Sequence, residues 1–140
     1  MADSIGIDRA TGLPLLDLDH VAQSVSVIFS TRIGEMIMLR WFGAGLAELL
    51  GKRVTPKLLA IYRTILALGI YAWEPRLQVV RIAASGNTRD GVRLGELSFE
   101  VLCYYRPRAH LGDLTIQGGL NTFNLRAQNN KLLFTYGGGA

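Results

Sequence analysis

Four carboxylates could serve hydrolytic chemistry: Glu35, Glu74, Glu96 and Glu100. Cutting a glycosidic bond takes two carboxyl groups across a cleft, about 5 to 9.5 Å apart, one of them with a raised pKa. Glu96 and Glu100 fall on the polar side of an alternating segment and read as solvated. Glu35 and Glu74 could come together, but each sits beside residues expected to hold it ionised. No Ser-His-Asp or Cys-His set and no phosphate-cradling loop is present. The two histidines, His20 and His110, are far apart and have no clustered acids, so no metal site is expected; His20 reads as a surface residue. The single cysteine, Cys103, allows neither an internal disulfide nor a cysteine zinc site. Tyr104, Tyr105, Arg106 and Arg108 could stack bases and hold phosphate, but read more simply as a strand end with a charged turn. These residue types point away from an enzyme and to no cofactor.

The charged residues that stand out instead flank a proline, in Ala72-Trp73-Glu74-Pro75-Arg76-Leu77. Proline lacks a backbone N–H and disfavours the α region for the residue before it, so the apolar helix pattern upstream ends at Trp73 or Glu74. A β-branched run, Leu77 to Ile82, begins directly afterwards. Glu74 and Arg76 are therefore held at the junction of two halves on a stiffened backbone. One reading is a structural corner, with Glu74 and Arg76 pairing inside the fold. The other is a docking point for another protein, carried by Trp73, Glu74, Pro75 and Arg76.

The surrounding elements follow from spacing. The pattern Ile7-Asp8-Arg9 then Thr11-Gly12 reads as an extended arm with a turn, inside an irregular stretch to residue 18. Asp19 caps a first helix, to about residue 30, with Val21, Val25, Ile28 and Phe29 on one face. Met36 to Phe42 is almost wholly apolar and is expected against the core. A short helix follows over 44–50. Thr55-Pro56 starts the principal helix, 56–73, whose apolar stripe runs through Leu58, Ile61, Tyr62, Ile65, Leu66, Leu68 and Gly69. Strands are predicted over 77–84 and 93–105, the second with strict alternation from Leu97 to Tyr105. Two short strands, Thr122 to Ala127 and Lys131 to Tyr136, meet at Asn129-Asn130, and the terminal Gly-Gly-Gly-Ala is expected to be mobile. The fold class is α+β: helices on one face of a small antiparallel sheet, with a C-terminal β-hairpin extension. Residues 1–105 make the core domain. Residues 106–140, glycine- and amide-rich, are an extension expected to gain its order from other subunits.

The totals agree with one globular unit. The 140 residues are 49% hydrophobic and 19% charged, enough for a real core. The net charge of +4 is spread along the chain, unlike the concentrated basic face of a nucleic-acid binder. No basic n-region precedes an apolar stretch, and the longest uncharged apolar run, Thr64 to Trp73, is far short of the roughly 20 residues of a membrane span. A soluble protein is expected, with no membrane partner.

The order of these features resembles the phage baseplate assembly protein W family, the baseplate wedge proteins of contractile tails, with relatives in type VI secretion machines. The matching residues are Ile7-Asp8-Arg9 with Thr11-Gly12, His20 with Gln23-Ser24, Thr31 with Gly34-Glu35, Phe42-Gly43 with Leu46 and Leu49-Leu50, and Trp73-Glu74-Pro75-Arg76. Together they cover roughly residues 5 to 105. Met36 departs from the family, which usually has a basic residue after the Gly-Glu pair. The resemblance implies a non-catalytic structural protein of the virion tail baseplate, present in the host cytoplasm during assembly. Its partners would be other wedge proteins and the tail sheath protein, in a hetero-oligomer with several copies around the tail axis. It would start sheath assembly, with exposed strand edges accepting a strand from a neighbour. The competing functions are a tail-associated peptidoglycan hydrolase, using the glutamates above, and a small nucleic-acid-binding module.

Overall fold

A computed structural model describes residues 4–44, 55–84, 97–128 and 131–139. The chain opens on an antiparallel hairpin, β1 (Ile5–Ile7) with β2 (Pro14–Leu16), and passes straight into helix α1 (Asp17–Ser30). Helix α2 (Pro56–Trp73) follows, then β3 (Leu77–Ala84), β4 (Leu97–Tyr105), β5 (Gln117–Gln128) and β6 (Lys131–Gly139). The last four form one antiparallel sheet in the order β3-β4-β5-β6. The result is the expected α+β fold, with helices on a sheet face and a C-terminal hairpin.

Helix α2 begins as its sequence requires. The Thr55 hydroxyl accepts from the Leu58 amide at 3.2 Å, and Pro56 occupies the first turn. Leu58, Tyr62, Leu66, Gly69 and Ile70 are buried, whereas Ile61 and Leu68 lie on the outer flank and stay exposed. Gly69 permits close packing: a Cβ there would stand 2.8 Å from the Ala44 methyl and 3.1 Å from the Phe29 ring. Helix α1 buries Val21, Ala22, Val25, Ile28 and Phe29, the expected face with one addition. It starts at Asp17, not after Asp19. The strand before it runs directly into the helix, and Asp17 is occupied by the hairpin: its amide donates to the Ser4 carbonyl at 2.7 Å, and its carboxylate accepts from the Ser4 amide at 3.2 Å. The predicted helix over 44–50, the first residues of the predicted strand 93–105 and the Asn129-Asn130 turn lie outside the described residues.

Two further sequence expectations are corrected. Met36 to Phe42 does not lie on the core. The Gly34 amide donates to the Arg40 carbonyl at 2.7 Å, which closes the segment into a loop with Met36, Ile37, Met38, Leu39 and Trp41 exposed. Only Phe42 turns inward, edge-on to Trp73 at 5.0 Å. The C-terminal stretch does not stand apart from the core. Phe123, Leu125 and Phe134 join the same core as both helices, and β6 runs on through the glycines to Gly139. Here alternation outweighs the amides and glycines between the apolar residues: Phe123 and Leu125 point to the core while Asn124 and Arg126 face out. The amides of Phe123 and Leu125 in the isolated protein should therefore exchange with deuterium as slowly as those of β4. Exchange as fast as in the exposed 33–41 loop would contradict this.

Candidate docking corner

Helix α2 stops where the proline demands. The Glu74 amide still donates to the Ile70 carbonyl at 2.9 Å, but Pro75 ends the ladder, and the Leu77 amide turns back to the Glu74 carbonyl at 3.2 Å. One residue on, the Arg106 amide donates to the Arg76 carbonyl at 2.8 Å, extending the β3–β4 pairing to the corner. This tight turn brings Glu74 and Arg76 side by side. Arg76 Nε donates to Glu74 Oε1 at 2.7 Å and Nη2 to Oε2 at 2.9 Å, a two-pronged ion pair. Glu74 is 2% exposed. Of the two readings left open by the sequence, the pairing is the internal one.

The pair reaches across the chain to the N-terminal hairpin. Arg76 Nη1 donates to Ser4 Oγ at 2.8 Å, and Ser4 Oγ stands 2.6 Å from His20 Nδ1 on α1. With the serine oxygen accepting from the guanidinium, its own proton is satisfied by Nδ1, so a neutral His20 with its proton on Nε2 fits this chain. The hairpin is seated by Gln23, which donates to the Ile7 carbonyl and accepts from the Arg9 amide, both at 2.9 Å. Gly6 lies against the His20 ring, where any Cβ would clash. His20 is therefore no surface residue but half-buried under the hairpin. Nothing in local spacing links Ser4, His20 and Arg76, which is why the sequence did not show them together.

Burial, and then the Arg76 charge, push the His20 pKa below its ordinary 6.5, with Glu74 opposing; the hydrogen bond to Glu74 raises that of Arg76. A basic group with a lowered folded pKa binds fewer protons folded than unfolded. Its stabilisation is thus complete above 6.5 and is lost as pH falls through the lowered folded value. We expect stability to decline below about pH 6.5 in wild type and less so in His20→Gln, with urea midpoints across pH as the measurement. Parallel curves would contradict the assignment.

The other two corner residues differ in exposure. Trp73 is half-buried; its Nε1 donates to the Gly43 carbonyl at 3.2 Å, anchoring the base of the exposed 33–41 loop. Gly43 has φ +122, and a Cβ there would meet the Thr31 carbonyl oxygen at 2.6 Å, so glycine closes the loop base. Pro75 is exposed.

Among the described residues the competing sites are not assembled. Both Glu74 oxygens are engaged by Arg76, and exposed Glu35 accepts from the Arg32 amide at 2.8 Å. Glu96 lies outside the described residues, and Glu100 sits half-buried on β4. Tyr104 and Tyr105 alternate on β4, with Tyr105 in the core, so they form no shared stacking platform. No group of three His, Cys, Asp or Glu gathers among the described residues. Cys103 is buried and its thiol pKa is pushed up to about 12 by that burial, which leaves it unreactive.

The sequence profile of the family described as "Baseplate wedge protein gp25" matches residues 17–110. Baseplate protein W of Escherichia phage P2 is 34% identical over 92 residues, 64% of this chain and 80% of that protein. A chain of the post-contraction pyocin R2 baseplate superposes with a TM-score of 0.59 at 25% identity, covering 74% of this chain and 99% of the other. A chain of the anti-feeding prophage baseplate gives 0.57 at 24%, over 72% and 79%. A candidate tail lysozyme of Geobacter sulfurreducens shares the fold, with a TM-score of 0.56 at 21% identity over 87% and 94%.

Proposed function

Since the chain belongs to the gp25 baseplate wedge protein family, we propose that it is a non-catalytic docking subunit that joins neighbouring wedge proteins and starts assembly of the tail sheath. It is a baseplate component of a contractile tail machine. Several copies would stand around the tail axis, assembled in the host cytoplasm. The observation that carries the reading is the family match over residues 17–110, beside 34% identity to a phage baseplate protein; the closed Glu74–Arg76–Ser4 corner is compatible with it. Every strong group in the corner is satisfied internally, which suits a rigid fixture and leaves no free carboxylate for acid chemistry.

The Trp73–Arg76 corner works in docking through what it holds in place. Pro75 is presented at its tip, and Trp73 fixes the loop that carries Ile37, Met38 and Trp41 outward. Preset side chains lose little freedom on binding. Strand addition at the outer edges of the sheet, β3 or β6, would complete the contact with a neighbour. We retain the division at residue 105 as one of role: residues 1–105 would bind the wedge, and the extension would present its outer face to other subunits.

Pro75→Asp tests the corner. The isolated variant should melt within a few degrees of wild type, since the ring is exposed, yet fail to restore sheathed particles in cells lacking the protein. Wild-type particle yield, scored by electron microscopy, would remove the corner from the docking surface.

A further inference from the structure

A groove of about 800 Å³ runs between helix α2 and β3, the outer strand of the large sheet. Its walls are apolar where α2 turns its second flank outward, at Leu68 and Tyr71, and where Val80 is displaced at a register shift in β3. Among the described residues, its charged groups are Arg63, Arg81 and Arg106, and no carboxylate lines it. Arg63 Nε donates to the Ile82 carbonyl at 3.2 Å. Arg106 stands at the corner end, with Nη2 3.5 Å from the Pro75 carbonyl oxygen. Its Nε–H is buried and finds no acceptor among the described residues. A buried donor without an acceptor is unfavourable, and an incoming carboxylate would satisfy both the bond and the charge.

We propose that this groove receives a peptide segment of a neighbouring subunit that carries apolar side chains and carboxylates, with one carboxylate on Arg106. Three cations with no carboxylate among the described lining residues favour an acidic occupant, and Leu68, Tyr71 and Val80 give it apolar purchase. A second copy of this chain is a poorer fit, because its net charge is +4. The proposal rests on the docking reading and names the chemistry of one partner.

The test uses assembled particles. Val80 is replaced by the photo-crosslinking residue p-benzoylphenylalanine, with Pro75 replaced in a parallel preparation. Illumination should join residue 80 to a stretch of another tail protein containing Asp or Glu. The Arg63→Glu/Arg81→Glu double variant should lower particle yield by about tenfold or more. Exchanging the captured carboxylates for arginine should restore it. Crosslinking of residue 80 to a second copy, to lipid or to a segment without acids would overturn the proposal. So would silence at residue 80 while residue 75 reacts, which leaves the docking reading standing. Absence of the unsubstituted protein from particles would overturn both.

Discussion

Arg76→Ala is expected to lower the stability of the isolated protein by about 3–5 kcal/mol, because it leaves a carboxylate buried without a partner. Glu74 is 2% exposed and receives two bonds from the guanidinium. The substitution also strips Ser4 of its donor and so loosens the hairpin. For a domain of this size the melting temperature should fall by roughly 10–17 °C. Arg76→Lys should lie between the two, since an ammonium cannot make the parallel pair of bonds. Replacing both partners together, as Glu74→Leu with Arg76→Met, should recover much of the loss, because no charge then remains buried. Unchanged melting of Arg76→Ala would contradict an internal ion pair and return the residue to a purely intermolecular role.

Phe123→Ala should cost about as much, 3–5 kcal/mol by the usual range for a buried aromatic. Phe123 is fully buried on β5, stacked on Phe134 of β6 with centroids 5.1 Å apart. Phe134 in turn meets Phe29 of α1 edge-on at 6.1 Å, and Ser26 Oγ donates to the Phe134 carbonyl at 3.2 Å. The extension is thus continuous with the helical layer. Deleting residues 106–140 removes Phe123, Leu125 and Phe134 from the core and bares one side of β4. The truncated chain should show no cooperative thermal transition. A truncated protein that melts sharply near the wild-type temperature would show that the first 105 residues fold alone.

What could be read from the sequence was what local periodicity and backbone chemistry encode. Helix α2 announced itself through Thr55-Pro56 and stopped at Pro75; β4 showed its alternation, and the helix–strand junction fell where proline placed it. Contacts between distant segments left no such trace. Ser4 has no local pattern that assigns it to Arg76, and His20 looks solvated until the hairpin is laid over it. The apolar run at residues 36–42 misled for a related reason. Composition favours burial, but the loop closure at Gly34 and Arg40 decides which way the side chains point. In β5 the alternating signal was present at Phe123 and Leu125 but was outweighed by the surrounding amides and glycines.

The bond between Ser4 and Arg76 spans 72 positions of chain, and this imposes an order on synthesis. The hairpin emerges from the ribosome before its anchor at Arg76, which does not exist until α2 and the turn at Pro75 have followed. A two-stranded hairpin is marginal by itself. Nascent chains arrested just after residue 70 should therefore expose the hairpin to protease, and chains long enough to have released the corner and the large sheet should protect it. The hairpin is made before the corner that secures it, so a chain interrupted between the two leaves the hairpin open to degradation.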